Sequence, residues 1–469
     1  MVFSSQIFLY VFMPGFFLCY YCARDRYKNW LILLASLTFY AIGAGITVLI
    51  LIISIWLNQF LAVRIAPAAP VGRRALLTVG IILNLLGLAY YKYGSFSWGL
   101  AGDAATLLGM HSFPAAPRIP LPIGISFFTF QAISYLIDVY RREISPAGSY
   151  GEFATYHSLF PQLVAGPIVR YREIKPEMSN RRIDRAALTE GGYRFCLGFG
   201  KKIAIADNLG VVADAMFKLP QEQLGMAHAW LGILCYSLQI YFDFSGYSDM
   251  AIGLGRLLGF HFPENFNQPY RSASITEFWR RWHMTLSRWF RDYLYIPLGG
   301  NRRGPLRTYA NLWIVFFLCG LWHGAGLTFV VWGLYHGLLL VLERIADGQF
   351  KWHPSGPLGI LMSFVLVTIG WVFFRAPTLA AAVHYLGAMF YFGAGNDAAP
   401  LAIYLTSDVE FYLVVALFFA FVPLDRLSPL RTDRPLLMIQ QLGFSAISLS
   451  YSSLLLAANS FNPFIYFRF

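Results

Sequence analysis

Apolar positions in this chain come in long unbroken blocks, not in the short alternations of a half-buried strand or surface helix. Such blocks fall near residues 5–22, 30–46, 47–65, 75–92 and 119–139. They resume near 308–322, 326–345, 357–374, 409–424 and 436–457. Each approaches the roughly 20 residues that a helix needs to cross about 30 Å of hydrocarbon. Residues 187–205 form a weaker run interrupted by Lys201-Lys202, and 228–254 a stronger one carrying Asp243 and Asp249. Residues 153–168 are apolar but short and hold Pro161, Gly166 and Pro167, which suits a re-entrant or interfacial piece. Gly43-Ala44-Gly45 breaks the second block from the third. These patterns predict an all-α polytopic membrane protein of about twelve spans. It forms a single integral-membrane domain over residues 1–469, with no soluble domain and no internal repeat.

Charge then orients the spans. Arg24, Arg26 and Lys28 follow the first block, Arg64, Arg73 and Arg74 the third, and Arg141 and Arg142 the fifth. Arg170, Arg172, Lys175, Arg181, Arg182 and Arg185 follow the short apolar piece, and Arg426, Arg431 and Arg434 fall in a late loop on the same side. The positive-inside rule places these loops in the cytoplasm and both termini outside. The segment from Gly94 to Arg118 is then an external loop. The net charge of +12 resides in the loops, so no nucleic-acid partner is implied. The first block has neither a basic segment before it nor a cleavage site after it, and is read as a retained span. Cys19, Cys22, Cys196, Cys235 and Cys319 lie in or beside apolar blocks without metal-ligand spacing, as small core residues do.

One polar and aromatic region, about 259–306, is not a span. Within it Ser274-Ile275-Thr276-Glu277 fits a capping box opening a helix that runs on to Tyr293. At 100° per residue Trp279, Trp282, His283, Leu286, Trp289 and Phe290 share one side. Glu277, Arg280, Arg281, Arg288, Arg291 and Asp292 share the other, with Glu277–Arg281 and Arg288–Asp292 at i,i+4. Such a helix lies at the membrane interface with its arginines toward lipid phosphates. The same arginine face suits the phosphates of an acyl carrier such as coenzyme A. His283 is either a satisfied core residue or a second polar group of a buried site.

Candidate chemistry centres on Gly320-Leu321-Trp322-His323-Gly324-Ala325-Gly326, where one apolar block ends and the next begins. An ionisable residue at membrane depth is costly unless it is satisfied or used. The glycines permit a helix break and close approach of a substrate to the backbone. His323 is therefore either a helix-end histidine bonded to a carbonyl or a general base, a task its ordinary pKa near 6.5 suits. Asp243 and Asp249 read as buried structural acids paired with bases such as Lys201 or Lys202. No phosphate-binding loop, dinucleotide fingerprint, nucleophile elbow around Ser245 or metal-ligand cluster is present.

The chain resembles the membrane-bound O-acyltransferase (MBOAT) family, alginate O-acetyltransferase type. The resemblance is carried nearly end to end. It includes Met1-Val2-Phe3-Ser4-Ser5, Pro122-Ile123-Gly124-Ile125-Ser126-Phe127-Phe128, Ile137-Asp138-Val139-Tyr140-Arg141 and Ala165-Gly166-Pro167. Further matches are Tyr241 through Met250, Glu264 through Tyr270, Ser274 through His283, Arg291 through Arg302, and Leu321 through Ala325 with the signature histidine. It implies a multi-helical fold with spans, re-entrant and interfacial helices around a central histidine-containing channel, in the bacterial inner membrane. It implies acetyl transfer from cytoplasmic acetyl-CoA, with no permanently bound cofactor and no metal, to an extracytoplasmic polysaccharide. Alginate is the leading acceptor, with cellulose and peptidoglycan as alternatives. The acceptor is the polymer itself or a periplasmic SGNH-type acetyltransferase partner carrying a serine. His323 becomes the expected catalytic base.

Around it His336 either faces the same cavity or bonds another helix. Asn265 and Gln268 either polarise a thioester or hold loop backbone. Trp322 lines the funnel or packs, and Arg280, Arg281, Arg288 and Arg291 are the candidates for acetyl-CoA phosphates. A transporter of an acetylated carrier is the competing class, and it is expected to show two related halves with broken helices.

Overall fold

A computed structural model describes the chain except for residues 1, 111–112, 116, 118, 353, 392–399, 424–433, 459–463 and 466–469. The loop arginines Arg426 and Arg431 lie outside the described residues. Every regular element among the described residues is helical. Asp25–Ile65, Pro70–Leu107, Leu327–Phe350, Gly356–Arg375 and Leu436–Ala458 are long and apolar enough to cross a membrane. The protein is a multi-pass membrane protein, and its packing divides it into two compact units.

The first unit comprises Met1–Ala187 and Leu254–Pro263. It contains α1 (Met13–Cys22), α2 (Asp25–Ala44), α3 (Val48–Ile65), α4 (Pro70–Leu107), α5 (Ile125–Tyr140), α6 (Tyr150–Ser158), α7 (Phe160–Leu163) and α8 (Tyr171–Ser179). Gly45, at φ 57°, makes the break between α2 and α3 that its sequence neighbourhood predicts. The segment expected to be an external loop from Gly94 is mostly helix, because α4 continues to Leu107. Extending an existing helix carries no new nucleation cost, so Gly94, Gly99 and Gly102 are accommodated within it. The short apolar piece forms α6 and α7 followed by extended chain, and residues 155–170 are buried throughout. Polar side chains bridge the helices inside this unit: Asn84 Nδ2 donates to Asn58 Oδ1 at 2.8 Å, and Tyr135 Oη to Gln59 Oε1 at 2.7 Å.

The second unit comprises Leu188–Gly253 and Glu264–Phe469 and carries the candidate chemistry. Its helices are α9 (Arg185–Gly200), α10 (Asp207–Phe217), α11 (Met226–Leu257), α12 (Ile275–Arg281), α13 (Met284–Phe290), α14 (Pro305–His323) and α15 (Leu327–Phe350). They are followed by α16 (Gly356–Arg375), α17 (Leu379–Phe390), α18 (Ser407–Phe421) and α19 (Arg434–Ala458). Between α9 and α10 the chain widens into a π turn at Lys201–Ala206. There the two lysines meet the acids of α11. Lys201 Nζ lies 2.6 Å from Asp249, and Lys202 Nζ lies 2.7 Å from Asp243 and 2.6 Å from Asp207. Arg194 adds a contact to Asp249 at 2.7 Å, and the second oxygen of Asp243 accepts the Ile465 amide at 2.7 Å. A buried carboxylate held this way keeps its charge compensated on both oxygens. Phe464, next to that amide, stacks on Tyr247 at 4.7 Å.

Candidate active site

The predicted helix from Ser274 to Tyr293 is interrupted. Ser274 does cap it, its Oγ accepting the Glu277 amide at 3.1 Å, while the Glu277 carboxylate takes the Ala273 amide at 2.9 Å. The chain then turns extended at Trp282 (φ −98°, ψ 130°) and left-handed at His283 (φ 42°, ψ 54°) before α13 begins. Hydrophobic periodicity continues across this break, so it does not announce the turn. A non-glycine residue in the left-handed region costs about 1–3 kcal/mol and persists only where its surroundings impose it.

Asn265 imposes it. Its Oδ1 accepts Thr285 Oγ1–H at 2.8 Å, the Thr285 amide at 3.3 Å and His283 Nδ1 at 3.1 Å, while Nδ2 donates to Ser248 Oγ at 3.0 Å. A backbone N–H can only donate, so the atom facing Thr285 is the oxygen. His283 must then carry its proton on Nδ1, leaving the lone pair on Nε2. Burial pushes this imidazole down to about 3, so it is neutral at physiological pH.

His323 is the last residue of α14 and is buried. It sits in an aromatic enclosure, with ring centroids 4.9 Å from Trp322, 5.0 Å from Trp332 and 5.2 Å from Phe374. Trp322 is also 6.1 Å from His283. On the other side Trp332 is 5.2 Å from His336. The three histidines are thus linked by single tryptophans. The helix break expected at these glycines is present, α14 ending at His323 and α15 beginning at Leu327. Gly320 and Gly324 are also close-packed, and a Cβ on Gly320 would overlap the Phe329 carbonyl. A Cβ on Gly333 would overlap the Phe316 carbonyl and approach Gly320 Cα to 3.2 Å, and one on Gly324 would overlap the Phe329 ring. The crossing of α14 and α15 is backbone against backbone, the contact that small residues permit between membrane helices.

A cavity of about 580 Å³ lies beside α14. Its polar lining includes Arg280, Arg288, Arg291 and Arg344 with Tyr295 and Asn301; Trp279, Met284, Phe316 and Cys319 are among its apolar residues. Cys319 is one turn before His323 on α14. Arg344 was not expected from the sequence, since it looks like the charged end of an apolar span. It reaches Asn301 Oδ1 at 3.3 Å, and its neighbour Glu343 caps α12 by accepting the Ile275 amide at 2.7 Å and that of Thr276 at 3.2 Å. Arg281 does not join the cavity lining: it pairs with Glu277 at 2.8 Å and donates to the Asn267 carbonyl at 3.2 Å. Asp292 pairs with Arg291 at 2.7 Å.

Gln268 belongs to the backbone-holding alternative. Its Nε2 donates to the Val422 carbonyl at 2.7 Å, at the end of α18, and its Oε1 accepts Arg271 at 2.8 Å. No local pattern signals such a contact, because the partner lies 154 residues away.

Residues 142–376 match the model of the membrane-bound O-acyltransferase family. The chain is 44% identical to a probable alginate O-acetylase AlgI of Pseudomonas aeruginosa, over 89% of this chain and 81% of that protein. It is 42% identical to the protein of the same name in Pseudomonas putida, over the whole of both. A peptidoglycan O-acetyltransferase of Helicobacter pylori is 38% identical over 83% of this chain and 80% of its own length.

Proposed function

Because the chain belongs to the membrane-bound O-acyltransferase family, we propose that it passes acetyl from cytoplasmic acetyl-CoA across the bacterial inner membrane. The acetyl is destined for O-acetylation of an extracytoplasmic polysaccharide, alginate or an alginate-like polymer. The observation that carries this reading is the arginine-lined cavity beside α14, whose apolar lining reaches Cys319, one helical turn from His323. Four guanidinium groups suit a donor with several phosphates, and the apolar side suits its uncharged arm. The relatives named for alginate support the choice of polymer. The relative named for peptidoglycan keeps that polymer as the second reading.

In the proposed reaction His323 accepts the proton of the attacking hydroxyl as its oxygen bonds to the thioester carbon. The C–S bond breaks, and the departing thiolate takes the proton from the imidazolium, so acid, base and leaving group balance. His283, its tautomer set by Asn265 and its ring 6.1 Å from Trp322, serves as a second polar group beside the same aromatic enclosure. Asp243 and Asp249 act structurally through their lysine and arginine partners. The hydroxyl belongs to the polymer or, in the arrangement we favour, to a serine of a periplasmic SGNH-type partner, with both termini of this chain in the periplasm. A bulky anionic donor cannot cross hydrocarbon cheaply, so a site entered from two faces lets only the acetyl group through.

Purified His323→Ala protein in lipid nanodiscs, given labelled acetyl-CoA, acceptor oligosaccharide and the periplasmic partner, is expected to lose acetyl transfer while still binding donor. Transfer at the wild-type rate removes His323 from the chemistry. Wild-type protein that transports an acetylated carrier without ever cleaving acetyl-CoA replaces the enzyme with a transporter.

A further inference from the structure

Four buried polar atoms near His323 have no hydrogen-bond partner among the described residues: Trp279 Nε1, Trp332 Nε1 and both ring nitrogens of His336. They form one cluster, with ring centroids 5.7 Å apart for Trp279 and Trp332, 5.1 Å for Trp279 and His336, and 5.2 Å for Trp332 and His336. The same core can satisfy an indole. Trp371, 5.8 Å from Trp332 and stacked on it, donates Nε1 to Tyr270 Oη at 3.1 Å, and Tyr270 donates onward to the Ser237 carbonyl at 2.5 Å. Native interiors rarely leave buried donors unmatched, and where they do the group commonly has a use.

The position of the cluster indicates the use. Trp279 is in the wall of the arginine-lined cavity, and Trp332 touches the His323 ring. The rings that carry these atoms therefore span from the wall of the donor cavity to the His323 ring. A thioester donor ends in a linear arm carrying two amides and the thioester carbonyl. Taking each carbonyl out of water without a donor to meet it is costly, and neutral N–H groups meet it without burying a charge.

We propose that Trp279, Trp332 and His336 form the subsite for the arm of the donor. Trp279 Nε1 donates to an amide carbonyl and Trp332 Nε1, on the ring that touches His323, to the thioester carbonyl. A Cβ on Gly370 would come within 2.8 Å of His336 Nε2, so that edge is closed by α16 and Nδ1 is the atom left for the second amide. The Trp332 contact strengthens as negative charge develops on the carbonyl oxygen during attack. The subsite presupposes the donor cavity of the proposed function.

The test is equilibrium binding to the full-length protein in nanodiscs, with three unreactive probes. These are coenzyme A, its acetonyl thioether (which keeps a carbonyl near the thioester position) and adenosine 3′,5′-bisphosphate, which has no arm. Trp→Phe changes keep the ring and remove only the N–H. Trp279→Phe is expected to weaken coenzyme A by about 10-fold and the bisphosphate by less than about 2-fold. Trp332→Phe is expected to weaken the acetonyl thioether by about 10-fold and coenzyme A by much less. Variants that bind all probes as wild type does would show that packing or bound water satisfies these atoms, and overturn the subsite. Equal losses for all three probes would mean that the rings only support the arginines, and overturn it as well. Wild-type protein that binds coenzyme A no better than the bisphosphate overturns the subsite alone. Wild-type protein that binds none of the probes overturns the donor cavity and the subsite together.

Discussion

Replacing Asn265 with Ala removes the group that holds the α12–α13 corner. One oxygen is lost to the two Thr285 donors and to His283 Nδ1, and one donor is lost to Ser248 Oγ. Asn265 is fully buried, so water does not readily replace these partners. A typical hydrogen bond contributes about 1 kcal/mol net, and a buried group left unpaired costs about 1–3 kcal/mol. The four bonds share one side chain and do not add simply. A loss of roughly 3 kcal/mol is expected. Function should fall further than stability alone explains, because His283 loses both its tautomer and the partner that keeps it left-handed. Acetyl transfer should drop by about 100-fold, the order of one misdirected proton-handling group.

Asn265→Asp is the informative companion. It keeps an acceptor for His283 and Thr285 but loses the donor to Ser248, so it should retain more activity than Asn265→Ala. Unfolding in mixed micelles, followed by tryptophan fluorescence, gives the stability difference, and labelled acetyl transfer gives the rate. Asn265→Ala protein within about 0.5 kcal/mol of wild type, and equally active, would refute the idea that this side chain builds the corner.

Other consequences are as direct. Gly333→Ala should cost about 1–3 kcal/mol in the same unfolding assay, because its methyl overlaps the Phe316 carbonyl. Arg291→Gln should raise the acetyl-CoA KM by about 10-fold, the loss of one charge-assisted contact. Arg281→Gln should leave that KM nearly unchanged, since Arg281 serves Glu277 and the Asn267 carbonyl. The His283 imidazole stays neutral in the folded protein down to about pH 3 but takes a proton in the unfolded chain below about 6.5. Its contribution to stability is therefore full above pH 6.5 and declines as pH falls toward 3, by at most about 1.4 kcal/mol per unit. The difference between wild type and His283→Phe across that window reads this slope, and parallel curves would contradict it.

The helical membrane class was legible because continuous apolar blocks have few other uses, and Lys201 and Lys202 were sensible partners for Asp243 and Asp249 because buried acids need bases. The arginine face was partly legible. Periodicity put Arg280, Arg281, Arg288 and Arg291 together, but the turn at His283 re-aims the chain after Arg281, and periodicity cannot report one positive φ. Arg344 and Glu343 were hidden by their place at the end of an apolar run. The glycines at His323 did signal the helix break, but a missing side chain leaves room equally for a ligand or for another helix. Only packing distinguishes these, and here the Phe329 carbonyl and ring take the space at Gly320 and Gly324.

The Ile465 amide on Asp243 has a consequence in time. The two residues are 222 positions apart. At about 5–20 residues per second, roughly 10–45 s of synthesis separate the carboxylate from its second partner. Lys202 emerges before Asp243, so the ion pair can form while translation continues, but the other carboxylate oxygen must wait. During that interval Asp243 on α11 is satisfied on one oxygen only. A nascent chain arrested before Ile465 would keep that defect, which gives membrane quality control a physical mark by which to tell it from a chain that has reached Ile465.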